Sequence, residues 1–386
     1  MNLAPWLLAG ALTAQASAPA VSGDAAFARG DFDAAFSAYT ATVAADPGNF
    51  DALLGLGTMD LYRGDLAAAQ TYLGKALQLN PADDRLQRRM HALQQLQDKP
   101  GDYEITMPQR EAGIPFVATD PLPMIRAAVN GHDASFLLDT GAPGVELSAA
   151  TAARLHVPMH EAGEGVFAGG MKAQIFAGRV ASLQLGGIRI RGVPVGQLPS
   201  AMPTMLAGRS YDGVIGTSLL RRFLSTLDYR DGKLILRPRT ASQSFEAAAR
   251  AQNAAIVPMW LVPDHFIFAR ATVNGTFDGL FSIDTGGAGI GITLTKPALA
   301  TANITPDESK ASSGFGGGGA VSVVPFSAAT VTLGSLTRRN VPGLFTPAGD
   351  PYGRFPFAVA GALSHEFFRN AALTFDFTAM NLIVSS

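Results

Sequence analysis

Two tripeptides carry the chemistry that this sequence can offer: Asp139-Thr140-Gly141 and Asp284-Thr285-Gly286, an offset of 145 residues. Each closes an apolar segment, Phe136-Leu137-Leu138 in one case and Phe281-Ser282-Ile283 in the other. Two carboxylates brought within hydrogen-bond distance cannot both ionise readily. One stays an anion and can take a proton from water, while the other stays neutral and can give a proton to a carbonyl oxygen. The two titrations belong to the pair, so acid and base are not assigned to Asp139 and Asp284 individually. Such a pair needs no metal and no organic cofactor, and none is implied. The chain has no Cys, which excludes a disulfide framework, a thiol nucleophile and Cys-bound zinc.

Competing motifs are weaker. Gly314 to Gly319 satisfies G-x-G-x-x-G, but an alternating strand pattern (AVSVVPF) follows where a dinucleotide site needs a helix. Pro158 separates His156 from His160, and His365-Glu366 lacks the second His of a zinc-protease helix. No G-x-S-x-G elbow occurs. Arg221-Arg222 and Arg338-Arg339 read as solvated charges at element ends.

The elements that must position the two Asp are written twice. IRAAVNGHDASFLLDTGAPGVEL from Ile125 answers FARATVNGTFDGLFSIDTGGAGIGITL from Phe268. Each has a strand, an Asn-Gly turn, a second strand and then Asp-Thr-Gly; Asn-Gly between apolar runs is the strongest short hairpin signal. Glycine-rich hairpins follow, GEGVFAGGMKA from Gly163 and SGFGGGGAVS from Ser313. Next comes an apolar pair closed by Gly, Val214-Ile215-Gly216 and Val359-Ala360-Gly361, leading into a short helix. Last is an Asp-aromatic pair before a strand, Asp228-Tyr229 and Asp376-Phe377. On this reading Gly216 matches Gly361 and Phe223 matches Phe368 at the offset of 145, while Tyr229/Phe377 and Ile235/Ile383 lie 148 apart. One three-residue insertion near the ends accounts for the difference.

This order and spacing resemble the aspartic proteases, in particular the retropepsin-like branch, over residues 113–386. The resemblance implies a mostly-β bilobal fold with both lobes in one chain. It implies that Asp139 and Asp284 form the catalytic dyad, that Thr140 and Thr285 cross-link the lobes beneath it, and that Gly141 and Gly286 offer N–H groups and leave room for close approach. It also implies that the Gly-rich hairpins are flaps over an extended peptide, with Phe167, Gly169, Gly170, Phe315, Gly316 and Gly317 as flap and substrate-binding residues. The sequence departs from the family pattern after each Asp-Thr-Gly, where Ala142 and Gly287 carry no hydroxyl. The dyad is therefore expected to titrate higher than in pepsin-like enzymes, giving a mildly acidic optimum.

Residues 21–98 have a different texture. Gly30-Asp31-Phe32 recurs as Gly64-Asp65-Leu66, Ala35 as Ala69, and Asp46-Pro47 as Asn80-Pro81, all 34 residues apart. That period, with Leu53, Leu56-Gly57, Ala69, Leu73, Ala76 and Pro81 at packing positions, resembles about two tetratricopeptide repeats with a closing helix over 82–97. The repeats either hold a peptide or partner protein or simply pack on the downstream domain.

The chain of 386 residues is thus expected to be multidomain, with all-α tetratricopeptide hairpins ahead of a mostly-β bilobal aspartic protease fold. Residues 1–16 read as a cleaved signal, with an uncleaved anchor or a disordered tail as alternatives. The repeats span 21–98, a linker 99–112, lobe 1 113–239, a helical or extended connector 240–255, and lobe 2 256–386. The expected product is an exported, periplasmic or secreted monomer hydrolysing a peptide or protein substrate, with no membrane span beyond the leader. A net charge of −2 without basic clusters gives no footprint for nucleic acid. Two rival readings stand beside this one: a peptide-binding scaffold without turnover, and a domain-swapped dimer.

Overall fold

The computed structural model describes residues 22–97, 101–166, 172–199, 202–203, 205–263, 265–316, 319–348 and 350–386. The expected signal over 1–16 lies outside the described residues.

Five helices open the fold: α1 (Gly23–Ala28), α2 (Phe32–Ala45), α3 (Phe50–Tyr62), α4 (Leu66–Leu79) and α5 (Asp84–Leu96). Their starts follow from capping chemistry. Ser22, Asp31, Asn49, Asp65 and Asp83 each accept a hydrogen bond from a backbone N–H in the first turn. The turns between paired helices use Gly30 and Gly64 at φ 73° and 74°. Small residues bring the helices together. A Cβ on Gly55 would lie 2.5 Å from the Tyr39 ring, and one on Gly57 would lie 2.7 Å from Leu73.

Helix α3 is buried continuously from Ala52 to Tyr62 because it has neighbours on two sides. One side meets the other repeat helices, and the other meets strand 255–262 of lobe 2. At this junction Phe32 stands 4.9 Å from Phe357 and 5.4 Å from Trp260, in edge-to-face contacts. Phe27 and Tyr62 also pack on Phe357. Ala358 donates its N–H to the Ala28 carbonyl (2.8 Å), and Arg221 reaches the Leu96 carbonyl at the end of α5. The repeats are docked on the protease-like domain, and Arg221 is a tie between the two rather than a solvated charge.

The segment read as a linker over 99–112 is partly strand. Glu104–Thr106 pairs antiparallel with Arg189–Arg191, and a strand from Ala112 to Ala118 begins the inter-lobe sheet. The connector contains a helix, Ser242–Ala251, whose Ser242 hydroxyl bonds Asp376 at 2.6 Å.

A six-stranded antiparallel arrangement joins the lobes, in the order 112–118, 233–237, 224–228, 372–376, 381–385, 255–262. Its middle pair is the symmetry element of the duplication, with the Thr226 and Thr374 hydroxyls bonded at 2.7 Å. The Asp-aromatic motif closes each hairpin here. Asp228 accepts from the Arg230 and Asp231 N–H groups, and Asp376 from Thr378 and Ala379. Above this sheet each lobe folds from its own hairpins, and both Asn-Gly turns have positive φ at the two central residues.

The repeats contain one buried, unsatisfied acid. Asp60 on α3 is 6% exposed and its Oδ2 has no partner among the described residues. Burial, with a contribution from Asp65 and an opposing one from Arg63, pushes its carboxyl up to about 6. Because the folded value lies above the ordinary one, the folded protein holds a proton between about pH 4 and 6 that the unfolded chain has lost. The contribution of Asp60 to stability therefore falls as pH rises through that window and is constant above it. Allowing for solvent screening, the loss is about 1–2 kcal/mol. Asp60→Asn is expected to gain melting temperature relative to wild type more at pH 8 than at pH 4; an equal difference at both would refute this account.

Candidate active site

In lobe 1 the strand His132–Leu138 delivers Asp139, and in lobe 2 the strand Phe277–Ile283 delivers Asp284. Each strand is flanked by a short segment returning from much later in the chain. Gly213–Ile215 lies parallel to 136–138 and antiparallel to Val145–Leu147. Gly361–Leu363 lies in the same way between 281–283 and Ile292–Leu294. The returning strands accept the backbone N–H of the two acids, Asp139 N–H to Ile215 O and Asp284 N–H to Leu363 O, both at 3.0 Å.

This register corrects the sequence alignment. Gly361 pairs as Gly213 does, so Gly216 matches Ser364 and Phe223 matches Ala371; the motif of lobe 2 is Ala362-Leu363-Ser364. The insertions also move. The offset rises from 145 at the acids to 147 at Val145/Ile292 and to 148 by Leu185/Leu333. Two extra residues therefore lie in the loop just after the second Asp-Thr-Gly, and one more lies before the end of the long hairpin.

The structure brings Asp139, Thr140, Gly141, Asp284, Thr285 and Gly286 together. The two carboxyls are within hydrogen-bonding reach of each other. Gly141 N–H donates to Asp139 Oδ1 at 2.7 Å, and Gly286 N–H to Asp284 Oδ1 at 2.9 Å. A Cβ on Gly141 would stand 2.6 Å from Asp284 Oδ1, and one on Gly286 would overlap the Asp139 carboxylate. Only glycine lets each loop press against the opposite acid. Beneath them Thr140 N–H donates to Thr285 Oγ1 (3.0 Å) and Thr285 N–H to Thr140 Oγ1 (3.1 Å). The hydroxyls donate onward to Ile283 O and Leu138 O across the lobe boundary.

Burial and the neighbouring Asp284 raise the Asp139 carboxyl well above the usual range, against the lowering influence of the Gly141 N–H. Burial likewise raises Asp284, opposed by the Gly286 N–H and by its bond with Asp139. Both acids are half-buried, with part of each side chain still open to solvent. The arrangement can hold one proton between two oxygens and present the anion and the acid to the same small molecule.

Of the residues expected to form flaps, Phe167, Gly169, Gly170 and Gly317 lie outside the described residues. Phe315 and Gly316 are in strand Ser312–Gly316, opposite Ala320 and Gly319. In lobe 1, Met159–Val166 pairs with the first half of Lys172–Leu185.

Sequence reasoning missed several neighbours. Ser364 is 3% exposed and precedes helix His365–Phe368 without capping it. A Cβ on Gly287 would lie 2.5 Å from its hydroxyl, which is why position 287 is glycine. In lobe 1 the residue equivalent to Ser364 is Gly216, where a Cβ would overlap the Ala142 carbonyl. Tyr211 and Tyr352 come from the loops before the returning strands, and the dyad contributes to holding both phenols above the ordinary range after burial, the leading cause. Glu146, the cross-strand partner of Val214, is pushed up to about 7 by burial alone. No local motif marks any of these, since their roles depend on strand register.

Asp120, His365 and Glu366 place ligand atoms close enough to hold a metal ion. Arg369 already occupies the acids, however, at 2.6 Å from Asp120 Oδ2 and 3.2 Å from Glu366 Oε2. With His365 Nε2 3.2 Å from Asp120 Oδ1, the group is an ion-pair tie between the lobes. Among the described residues no helix is long and apolar enough to cross a membrane.

Residues 125–219 and 269–354 match the aspartyl protease family model, and residues 26–96 match the tetratricopeptide repeat model. Over 120 residues, 31% of its length, the chain is 36% identical to a putative cellulose synthase operon protein C of Escherichia coli O157:H7. It spans about a tenth of that protein's length. Among solved structures, a retropepsin-like aspartic protease from Rickettsia conorii is similar at 21% identity and TM-score 0.27, covering 36% of this chain and 97% of that one. Conglutin gamma from lupine seeds is similar at 11% identity and TM-score 0.41, covering 72% of this chain and 94% of that one. The two segments that match the aspartyl protease family model are thus the ones built around the two Asp-Thr-Gly loops, and they follow an amino-terminal region that matches tetratricopeptide repeats.

Proposed function

We propose that the chain is an aspartic endopeptidase, exported by its leader, that cleaves peptide bonds with water held between Asp139 and Asp284. The observation that carries this reading is the reciprocal Thr140/Thr285 cross-link, which holds two carboxyls in contact while both stay accessible to solvent. A dyad kept only for structure has no need of that access.

In the proposed reaction the ionised carboxyl takes a proton from water as its oxygen attacks the peptide carbonyl carbon. The neutral carboxyl gives its proton to the carbonyl oxygen, forming a tetrahedral diol. On collapse, the diol returns a proton to one carboxyl and the leaving nitrogen takes a proton from the other, so the dyad ends with the single proton it began with. The Gly141 and Gly286 N–H groups fix the inner oxygens throughout. An extended peptide would lie beneath the two glycine-rich hairpins, bound through main-chain hydrogen bonds.

Because burial raises both acids, the singly protonated pair survives into mildly acidic solution, and the rate falls as the shared proton is lost at higher pH. The test is cleavage of an unbiased peptide library from pH 3 to 8 by protein beginning at Ser17. A mildly acidic optimum is expected, and a rate still rising below pH 3 contradicts the account. Peptide binding without turnover would leave the scaffold reading in its place.

A further inference from the structure

On the sheet face turned away from the lobe 1 core, cross-strand neighbours run in a row: Met124, Leu137, Val214, Glu146, Gly196, Ala177 and His160. Met124, Leu137 and Val214 form an apolar wall with Leu122, Leu198 and Tyr211. Against that wall pack Ala142 and Ala288, residues of the loops that follow the two Asp-Thr-Gly turns. The wall therefore borders the dyad, and Glu146 is the next side chain along the same face.

Its position is built. A Cβ on Gly196 would overlap the Glu146 carboxylate, so the carboxylate lies across that strand, toward the foot of the lobe 1 flap hairpin. The side chain is half-buried, and among the described residues no Lys, Arg or His pairs with it. Burial alone sets its titration, with no cation pulling it down. A carboxylate desolvated without a counter-charge is costly, and proteins rarely keep one unless something binds it. Lobe 2 differs at the equivalent place. Thr293 stands there, accepting from the Ala362 N–H with the Tyr352 hydroxyl 3.5 Å away.

We infer that Glu146 selects the substrate: it receives a lysine or arginine side chain at one position of an extended peptide, on the lobe 1 side of the cleft only. This rests on the peptide-cleavage reading and deepens it. Successive side chains of an extended peptide point to opposite faces, so the preference is confined to a single position and absent at its neighbours.

The test uses the full chain and one cleaved peptide, resynthesised with Lys, Gln or Glu at each position in turn. Wild type is expected to favour Lys over Gln by about tenfold or more at one position, through KM, and to disfavour Glu there. Glu146→Gln and Glu146→Thr, the lobe 2 residue, are each expected to abolish that preference while melting at or above the wild-type temperature. Binding of the same peptides to Asp139→Asn, measured by fluorescence anisotropy, should show the preference without turnover. Cleavage with no basic preference at any position, or a preference that survives in both variants, overturns the inference and leaves the peptidase reading standing. Absence of both cleavage and binding removes that reading, and this inference with it.

Discussion

Asp139→Asn and Asp284→Asn are each expected to lower kcat/KM for peptide cleavage by about 10³-fold or more, roughly 4 kcal/mol of transition-state stabilisation. The amide has the shape of the carboxyl but cannot hold the shared acidic proton, and the dyad needs one proton and one anion at once. The two losses should not add, because either substitution removes the same shared function. The fold is expected to survive. Gly141 and Gly286 press on the opposite acids through van der Waals contact, and the Thr140/Thr285 cross-link lies beneath them untouched. Melting temperatures should match or exceed wild type near neutral pH, since one of two like charges in a desolvated site is gone. Residual activity above about a tenth of wild type in either variant would exclude a two-carboxyl mechanism.

Phe357→Ala is expected to cost about 3–5 kcal/mol and to loosen the repeats from lobe 2. The ring is 5% exposed and sits among Phe27, Phe32, Tyr62, Phe268 and Phe355, so its removal opens a cavity between two domains rather than within one. Its neighbours cannot close the gap without shifting helix α3, already packed along most of its length. The effect should extend to the site. Phe357 lies four residues before the strand Gly361–Leu363, whose Leu363 carbonyl accepts the Asp284 N–H. Differential scanning calorimetry should show a lower or split transition, and hydrogen exchange should rise in both α3 and 361–363. Faster exchange in α3 with 361–363 unchanged would mean that the repeats are an independent attachment and give the site no support.

The duplication, the hairpins and the dyad were legible in the sequence because their signals are local. Asn-Gly between apolar runs demands a turn with two positive φ values, and Asn130-Gly131 and Asn274-Gly275 both adopt it. Asp-Pro and Asn-Pro pairs at a spacing of 34 mark helix ends without tertiary information. The alignment of the two halves past the second acid was not legible. Gly361 looks like the counterpart of Gly216 by residue type, but ladder hydrogen bonds make it the counterpart of Gly213. Both glycines answer one constraint, since a Cβ on either would overlap a carbonyl of the neighbouring strand, Glu146 O or Thr293 O. Glycine identity alone does not tell which constraint it serves.

The sequence by itself determined which two acids meet across the lobes, because a repeated Asp-Thr-Gly after an apolar strand has its meaning in consecutive residues. Only the tertiary structure decided what surrounds them. Ser364 explains Gly287, Arg221 ties a helix 125 residues earlier, Phe357 fills the junction with the repeats, and Glu146 stands, unpaired among the described residues, beside the wall that borders the dyad. Each of these depends on contacts between segments far apart in the chain. Such contacts are fixed by strand register and close packing, and neither is written in any short window of residues.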